Sequence, residues 1–115
     1  MLSIPANISI FLHTEPTDMR KGFDGLPGIV HEHFDADPPS GSLYLFINRR
    51  RDRLKILHFD GTGCWLYYKL LEAGTFEVIA SDAPCIEIDA TQLAMLLGGV
   101  SLVGAKRRRR YRRAS

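Results

Sequence analysis

Between Leu43 and Ile79 the chain alternates short β-prone runs with polar or glycine-bearing breaks, and that alternation leaves few folds open. Leu43-Tyr44-Leu45-Phe46-Ile47 is apolar at every position, as a strand covered on both faces must be. Arg49-Arg50-Arg51-Asp52 is a polar turn, and Arg53-Leu54-Lys55-Ile56-Leu57-His58-Phe59 then alternates before becoming apolar. Asp60-Gly61-Thr62-Gly63 is a strong turn signal, because glycine reaches positive φ without a Cβ clash. Cys64-Trp65-Leu66-Tyr67-Tyr68-Lys69-Leu70 reads as a third strand, Ala73-Gly74 breaks it, and Thr75-Phe76-Glu77-Val78-Ile79 reads as a fourth. Links this short join antiparallel neighbours, so a four-stranded antiparallel meander is the expectation.

The flanks add a strand and helices. Ile8-Ser9-Ile10-Phe11-Leu12 has strand composition. Thr17 is a candidate N-cap with Asp18 in the first turn, and Met19, Phe23, Leu26, Val30 and Phe34 then recur at helical spacing. Pro27, Gly22, Gly25 and Gly28 interrupt that stripe, so the expected helix over roughly 18–34 is kinked or broken. Residues 35–41 and 80–85 read as loops. Asp89-Ala90-Thr91-Gln92 has the form of a capping box, Leu93, Leu96, Leu97 and Val100 supply an apolar stripe, and Gly98-Gly99 is a stop. The fold class is therefore α+β: an antiparallel β meander with a helix after the first strand and a short C-terminal helix. Residues 1–100 are expected to form one domain, with 101–115 a basic extension.

Charge is divided unevenly along the chain. Of 15 basic residues, seven lie in Lys106, Arg107, Arg108, Arg109, Arg110, Arg112 and Arg113, leaving 8 basic against 13 acidic residues in 1–105. A run of like charge cannot build a core and needs an anionic partner or solvent. Nucleic-acid phosphate, a membrane surface or an acidic protein would each serve, as would simple solubilisation. Tyr111 inside the run offers a single ring for base stacking. A second basic cluster, Arg49-Arg50-Arg51-Asp52-Arg53 with Lys55, sits at an expected hairpin tip. Arginine suits phosphate because its planar fork donates two hydrogen bonds at once. The plainer reading is charge that keeps a sheet edge soluble. Alternation puts Trp65 and Tyr67 on one strand face and Tyr68 on the other, for base stacking, partner contact or ordinary cross-strand packing.

Other classes of function find little support. No apolar run is long enough to span a membrane, and no secretory signal is expected from Met1-Leu2-Ser3-Ile4-Pro5. Cys64 and Cys85 lack knuckle or redox spacing, which fits a cytoplasmic, reduced chain. Asp18, Asp24, Asp52 and Asp60 stand at turns or helix starts with no spacing that forces a metal site. His31-Glu32-His33 puts its imidazoles on different helix faces. No catalytic residue, metal or cofactor is expected, and there is no glycine-rich phosphate loop.

Several segments together carry a family likeness: Thr17-Asp18-Met19-Arg20-Lys21-Gly22-Phe23-Asp24-Gly25-Leu26, Asp37-Pro38 with Ser40-Gly41, Arg49 to Leu57, Asp60-Gly61, Trp65, Tyr68-Lys69, Leu71-Glu72, and Gln92-Leu93-Ala94 with Leu96-Leu97. From about residue 8 to 100 the chain resembles the TnpB accessory proteins of the IS66 class of bacterial insertion sequences, products of the second open reading frame. The copy departs from that pattern at Leu70, His58, Pro27 and Phe76-Glu77-Val78. The resemblance implies a protein that works beside a separate, larger transposase and does not carry its acidic catalytic triad. It does not identify a catalytic residue. The expected function is thus a non-enzymatic accessory factor in DNA transposition that binds DNA, the transposase or both. Arg49, Arg50, Arg51, Arg53 and Lys55 are expected to contact phosphate, the residues from Lys106 to Arg113 to add nonspecific affinity, and Arg20, Lys21, Trp65 and Tyr67 to form a further DNA or partner surface. The alternatives are a module that docks on the transposase without touching DNA and, more distantly, a small metal-dependent nuclease. The sequence leaves the oligomeric state open.

Overall fold

The computed structural model describes residues 8–33, 41–78 and 81–98. Five strands and two helices follow in the order β1 (Ile10–His13), α1 (Leu26–His33), β2 (Leu43–Ile47), β3 (Arg53–Phe59), β4 (Cys64–Leu70), β5 (Cys85–Ile88) and α2 (Ala90–Gly98). The strands form one sheet in the order β4-β3-β2-β1-β5. The α+β class is therefore correct, but the sheet is mixed. β1 runs parallel to β2, with Leu12 beside Leu45, because the chain between them crosses over through α1. The remaining pairs are antiparallel: β1 with β5, β2 with β3, and β3 with β4.

Two departures from the expected meander have clear causes. Thr75 to Val78 form no strand; Phe76 is fully buried and its N–H donates to the Arg51 carbonyl at 2.6 Å. The apolar signal there comes from one side chain packing under the sheet rather than from a ladder. β5, by contrast, has only four residues and follows Pro84, too short for a periodic signal, and is fixed by pairing Ile10 with Ile88 and Leu12 with Ile86.

The first helix is also later and shorter than expected. Thr17 is not its cap: its hydroxyl lies 3.3 Å from His13 Nδ1, and its N–H bonds the Ile47 carbonyl. Residues 18–25 make successive turns, with Lys21 N–H on Asp18 O and Leu26 N–H on Gly22 O. Pro27 then falls in the first turn of α1, where its missing N–H costs nothing. Phe23, assigned to the buried stripe by spacing, is 56% exposed. Phe34, the end of that stripe, lies outside the described residues, as do Ile79 and Val100. The second helix starts at the capping box: Gln92 N–H donates to Asp89 Oδ1 at 2.7 Å, and Asp89 N–H donates to Gln92 Oε1 at 2.9 Å.

Alternation sorts the sheet into two apolar faces. Leu43, Leu45, Ile47, Leu54 and Ile56 pack with Phe76 and with Leu93 and Leu96 of α2. Tyr44, Phe46 and Leu57 pack with Leu26 and Val30 of α1. β2 is buried at all five positions because both faces are covered. β4, at the sheet margin, is mostly exposed. The layering leaves the β2–β3 loop and the turns before α1 together at one end of the sheet.

Candidate nucleic-acid interface

The β2–β3 loop is built around Asn48. Its Oδ1 accepts from the N–H groups of Asp52 and Arg53, both at 3.0 Å, and its Nδ2 donates to Asp52 Oδ1 at 2.7 Å. The loop closes with Arg51 N–H on the Asn48 carbonyl and Asn48 N–H on the Arg53 carbonyl. This folding drives Arg51 to φ 61, a left-handed conformation that side chains other than glycine, asparagine and aspartate rarely adopt. With Asn48 and Asp52 absorbed in holding the turn, the arginine side chains are left outside it.

The turns before α1 face this loop. Together they bound an open groove of about 340 Å³ lined by Thr17, Asp18, Met19, Asn48, Arg49, Arg50, Asp52 and Arg53. Arg49 and Arg50 are exposed and their side chains have no hydrogen-bond or ion-pair partner among the described residues. Arg53 donates from Nη1 to the Tyr68 hydroxyl at 3.2 Å, a bond that raises its already high pKa. Asp18 on the opposite wall is held at about pH 2 by the guanidinium of Arg20, which donates from Nη2 at 2.7 Å and from Nε at 3.0 Å, and by the Arg20 N–H. The Arg20 guanidinium is in turn raised by that carboxylate. The Asp18–Arg20 pair is thus locally neutral, while the facing wall keeps a net positive charge, with Arg49, Arg50 and Arg53 against the one carboxylate of Asp52.

The expected site residues divide into five groups. Arg49, Arg50 and Arg53 come together in the groove, and Arg51 is exposed beside them. Lys55 does not join them. It is only 6% exposed, and its ammonium donates to the carbonyls of Met19 at 2.7 Å and Lys21 at 2.8 Å while lying 4.7 Å from the Tyr68 ring centroid. Alternation along β3 turns Lys55 toward the α1 side, where it ties the pre-helix turns to the sheet. Arg20 and Lys21 are exposed on those turns. Trp65 and Tyr67 lie away from the groove on β4, 57% and 37% exposed, with Trp65 Nε1 donating to Asp60 Oδ2 at 2.8 Å. Lys106, Arg107, Arg108, Arg109, Arg110, Arg112 and Arg113 lie outside the described residues.

Sequence reasoning missed Asn48 and the turn at Asp18 as the two walls. Asn48 was detectable as an asparagine opening a turn, a position where its amide mimics backbone. Among the described residues, no three of His, Cys, Asp and Glu converge as a metal site would require.

A family model described as IS66 Orf2 like protein matches residues 8–107, most of the chain and all the walls of the groove. The chain belongs to this TnpB family of IS66 elements. Membership implies an accessory role in the transposition of an insertion sequence, and with it an association with the transposase. Two similar proteins of Sinorhizobium fredii (strain NBRC 101917 / NGR234), y4jC and y4hO, are described only as uncharacterized. The first is 30% identical over 108 residues, 94% of this chain and 92% of y4jC. The second is 35% identical over 100 residues, 87% of each. No solved structure matches the chain. No helix among the described residues is long and apolar enough to cross a membrane.

Proposed function

We propose that the chain is a non-enzymatic accessory factor that grips the DNA of its insertion sequence through the Arg49–Arg53 loop, placing it beside the transposase in the cytoplasm. The observation that carries this reading is the pair of guanidinium groups of Arg49 and Arg50, without a partner among the described residues, on a groove wall where three arginines stand against the single carboxylate of Asp52. Asp52 is bound to Asn48, and Asp18 is bound to Arg20. An open groove edged by arginine forks suits a phosphate backbone, which such contacts position against without reading bases. The basic residues from Lys106 to Arg113 would add affinity of the same sequence-independent kind.

A salt series on duplex DNA tests this. Binding should weaken as salt rises, and each phosphate contact removed should flatten the plot of log affinity against log salt by about 0.9. Deleting residues 106–115 should weaken binding to all sequences alike. An intact chain that ignores DNA at low salt but is captured by the transposase would replace this reading with docking on the transposase alone. Magnesium-dependent cleavage lost on substitution of Asp18 or Asp52 would replace it with a nuclease.

A further inference from the structure

We propose that the free margin of β4 is a self-association surface, on which a second copy of this chain adds its own β4 in antiparallel register. β4 ends the sheet, and four of its seven residues are large exposed side chains: Trp65 at 57%, Tyr67 at 37%, Tyr68 at 51% and Leu70 at 55%. The other margin, β5, has four residues and includes Glu87.

The backbone determines which groups are available. Leu71 N–H bonds Asp52 O, and Asp60 N–H bonds Gly63 O, each across the β3–β4 register. Odd-numbered residues of β4 therefore point their N–H and C=O groups at β3. Cys64, Leu66, Tyr68 and Leu70 point theirs outward, where no described residue meets them. An antiparallel pairing centred on Tyr67 would engage all seven residues. Leu66 would face Tyr68 of the second copy and Cys64 would face Leu70, each pair exchanging two hydrogen bonds. Trp65 would face Lys69 of the second copy, and Tyr67 would face its own counterpart.

Charge complementarity favours a second copy over a random strand. Lys69 is the single charge on β4, and in this register it meets an indole face rather than another lysine. Its ammonium, which donates to the Leu97 carbonyl at 2.9 Å, is already held on the Trp65–Tyr67 side of the strand. The contact occurs twice by symmetry, as an isologous interface requires. One consequence rests on the function proposed above, although the pairing itself does not. The two arginine loops would stand about 35 Å apart, at ~3.4 Å per residue along a strand and ~4.8 Å between strands. That is about one turn of duplex DNA.

Sedimentation of the full chain without DNA tests the pairing, so a failure to bind DNA leaves the result readable. A dimer is expected in the micromolar range. Leu70→Pro removes an outward N–H that has no acceptor among the described residues, and Tyr67→Lys puts like charges opposite each other on the axis. Each should raise the dimer dissociation constant about tenfold or more while circular dichroism stays native. With Cys64→Ser and Cys85→Ser in the background, Tyr67→Cys should form a disulfide between copies on mild oxidation, because a non-hydrogen-bonded pair sets Cα atoms about 4.5 Å apart. A chain that remains monomeric, a dimer indifferent to both Leu70→Pro and Tyr67→Lys, or a Tyr67→Cys chain that fails to cross-link would overturn the proposal.

Discussion

The two successive hairpin turns of the meander solve the same problem in opposite ways. At Asp60–Gly63, one carboxylate accepts from the N–H groups of Thr62 and Gly63, both at 2.9 Å, from the Thr62 hydroxyl and from the Trp65 indole. The residue forced to positive φ there is Gly61, at 94°, which has no Cβ to clash. At Asn48–Asp52 the organiser is an amide, and the residue at positive φ is Arg51. The first turn is optimised for closure. The second keeps a strained arginine where glycine would fit better, and surrounds it with further arginines. Strain that persists at an exposed turn points to a task for the side chain. The pair of turns therefore separates a structural loop from the candidate contact loop within one sheet.

The largest expected effect breaks the comparison on the functional side. Replacing Arg49, Arg50 and Arg53 together by alanine should flatten the salt dependence of DNA binding by about 2.7 units if all three contact phosphate. Replacing Thr62 by alanine should leave that slope unchanged. Equal slopes for the two variants in fluorescence anisotropy would remove the distinction between the turns.

On the stability side, Gly61→Val should destabilise the fold by about 1–3 kcal/mol in urea unfolding, since a β-branched side chain is placed at strongly positive φ. Asn48→Ala should cost about 2 kcal/mol by leaving the Asp52 and Arg53 N–H groups without their acceptor. Arg51→Gly should do the reverse, raising stability by up to about 1 kcal/mol through relief of the left-handed strain. If Arg51→Gly is destabilising instead, the arginine makes a contribution that its backbone geometry does not reveal.

The smallest effect is acid sensitivity. The Asp60 carboxyl is lowered from 3.8 to about 2, chiefly by the Thr62 N–H and then by the Trp65 indole. A depressed carboxyl stabilises the fold above its unfolded pKa, and that contribution fades as pH falls from 3.8 to about 2. Asp60→Asn should therefore flatten the acid limb of a thermal stability profile in that window and leave the profile near neutrality parallel to that of the unsubstituted chain. Asp18→Asn should act in the same window, because Arg20 holds that carboxyl at about 2.

Local chemistry was readable wherever the responsible residues are neighbours in sequence. The capping box at Asp89 and Gln92, the turn at Asp60 and the fully apolar run of β2 each concern groups a few residues apart, so their hydrogen bonds and periodicity leave a mark in the chain itself. Family membership was readable for a related reason, since its motifs are contiguous. Long-range pairing left no such mark. β5 has too few residues to show a period, and only the exposed margin of β1 makes it a strand. Phe76 looks like part of a strand until its burial beneath the sheet is seen.

The same division runs through the candidate site. That arginines cluster at a turn between two strands follows from residues 43–59 alone, because an apolar run, a polar break and a second apolar run admit few other arrangements. Which of those cations face outward does not follow. Lys55 belongs to the same basic run, yet strand alternation and two carbonyls contributed by residues 19 and 21 turn it inward. Asp18 and Arg53 share a groove although 35 positions separate them, because the crossover from β1 through α1 to β2 folds the pre-helix turns against the next loop. Sequence neighbours decide conformation through bonds and turns that close within a few residues. Which charges remain free is decided by what packs above them, and that partner lies elsewhere in the chain.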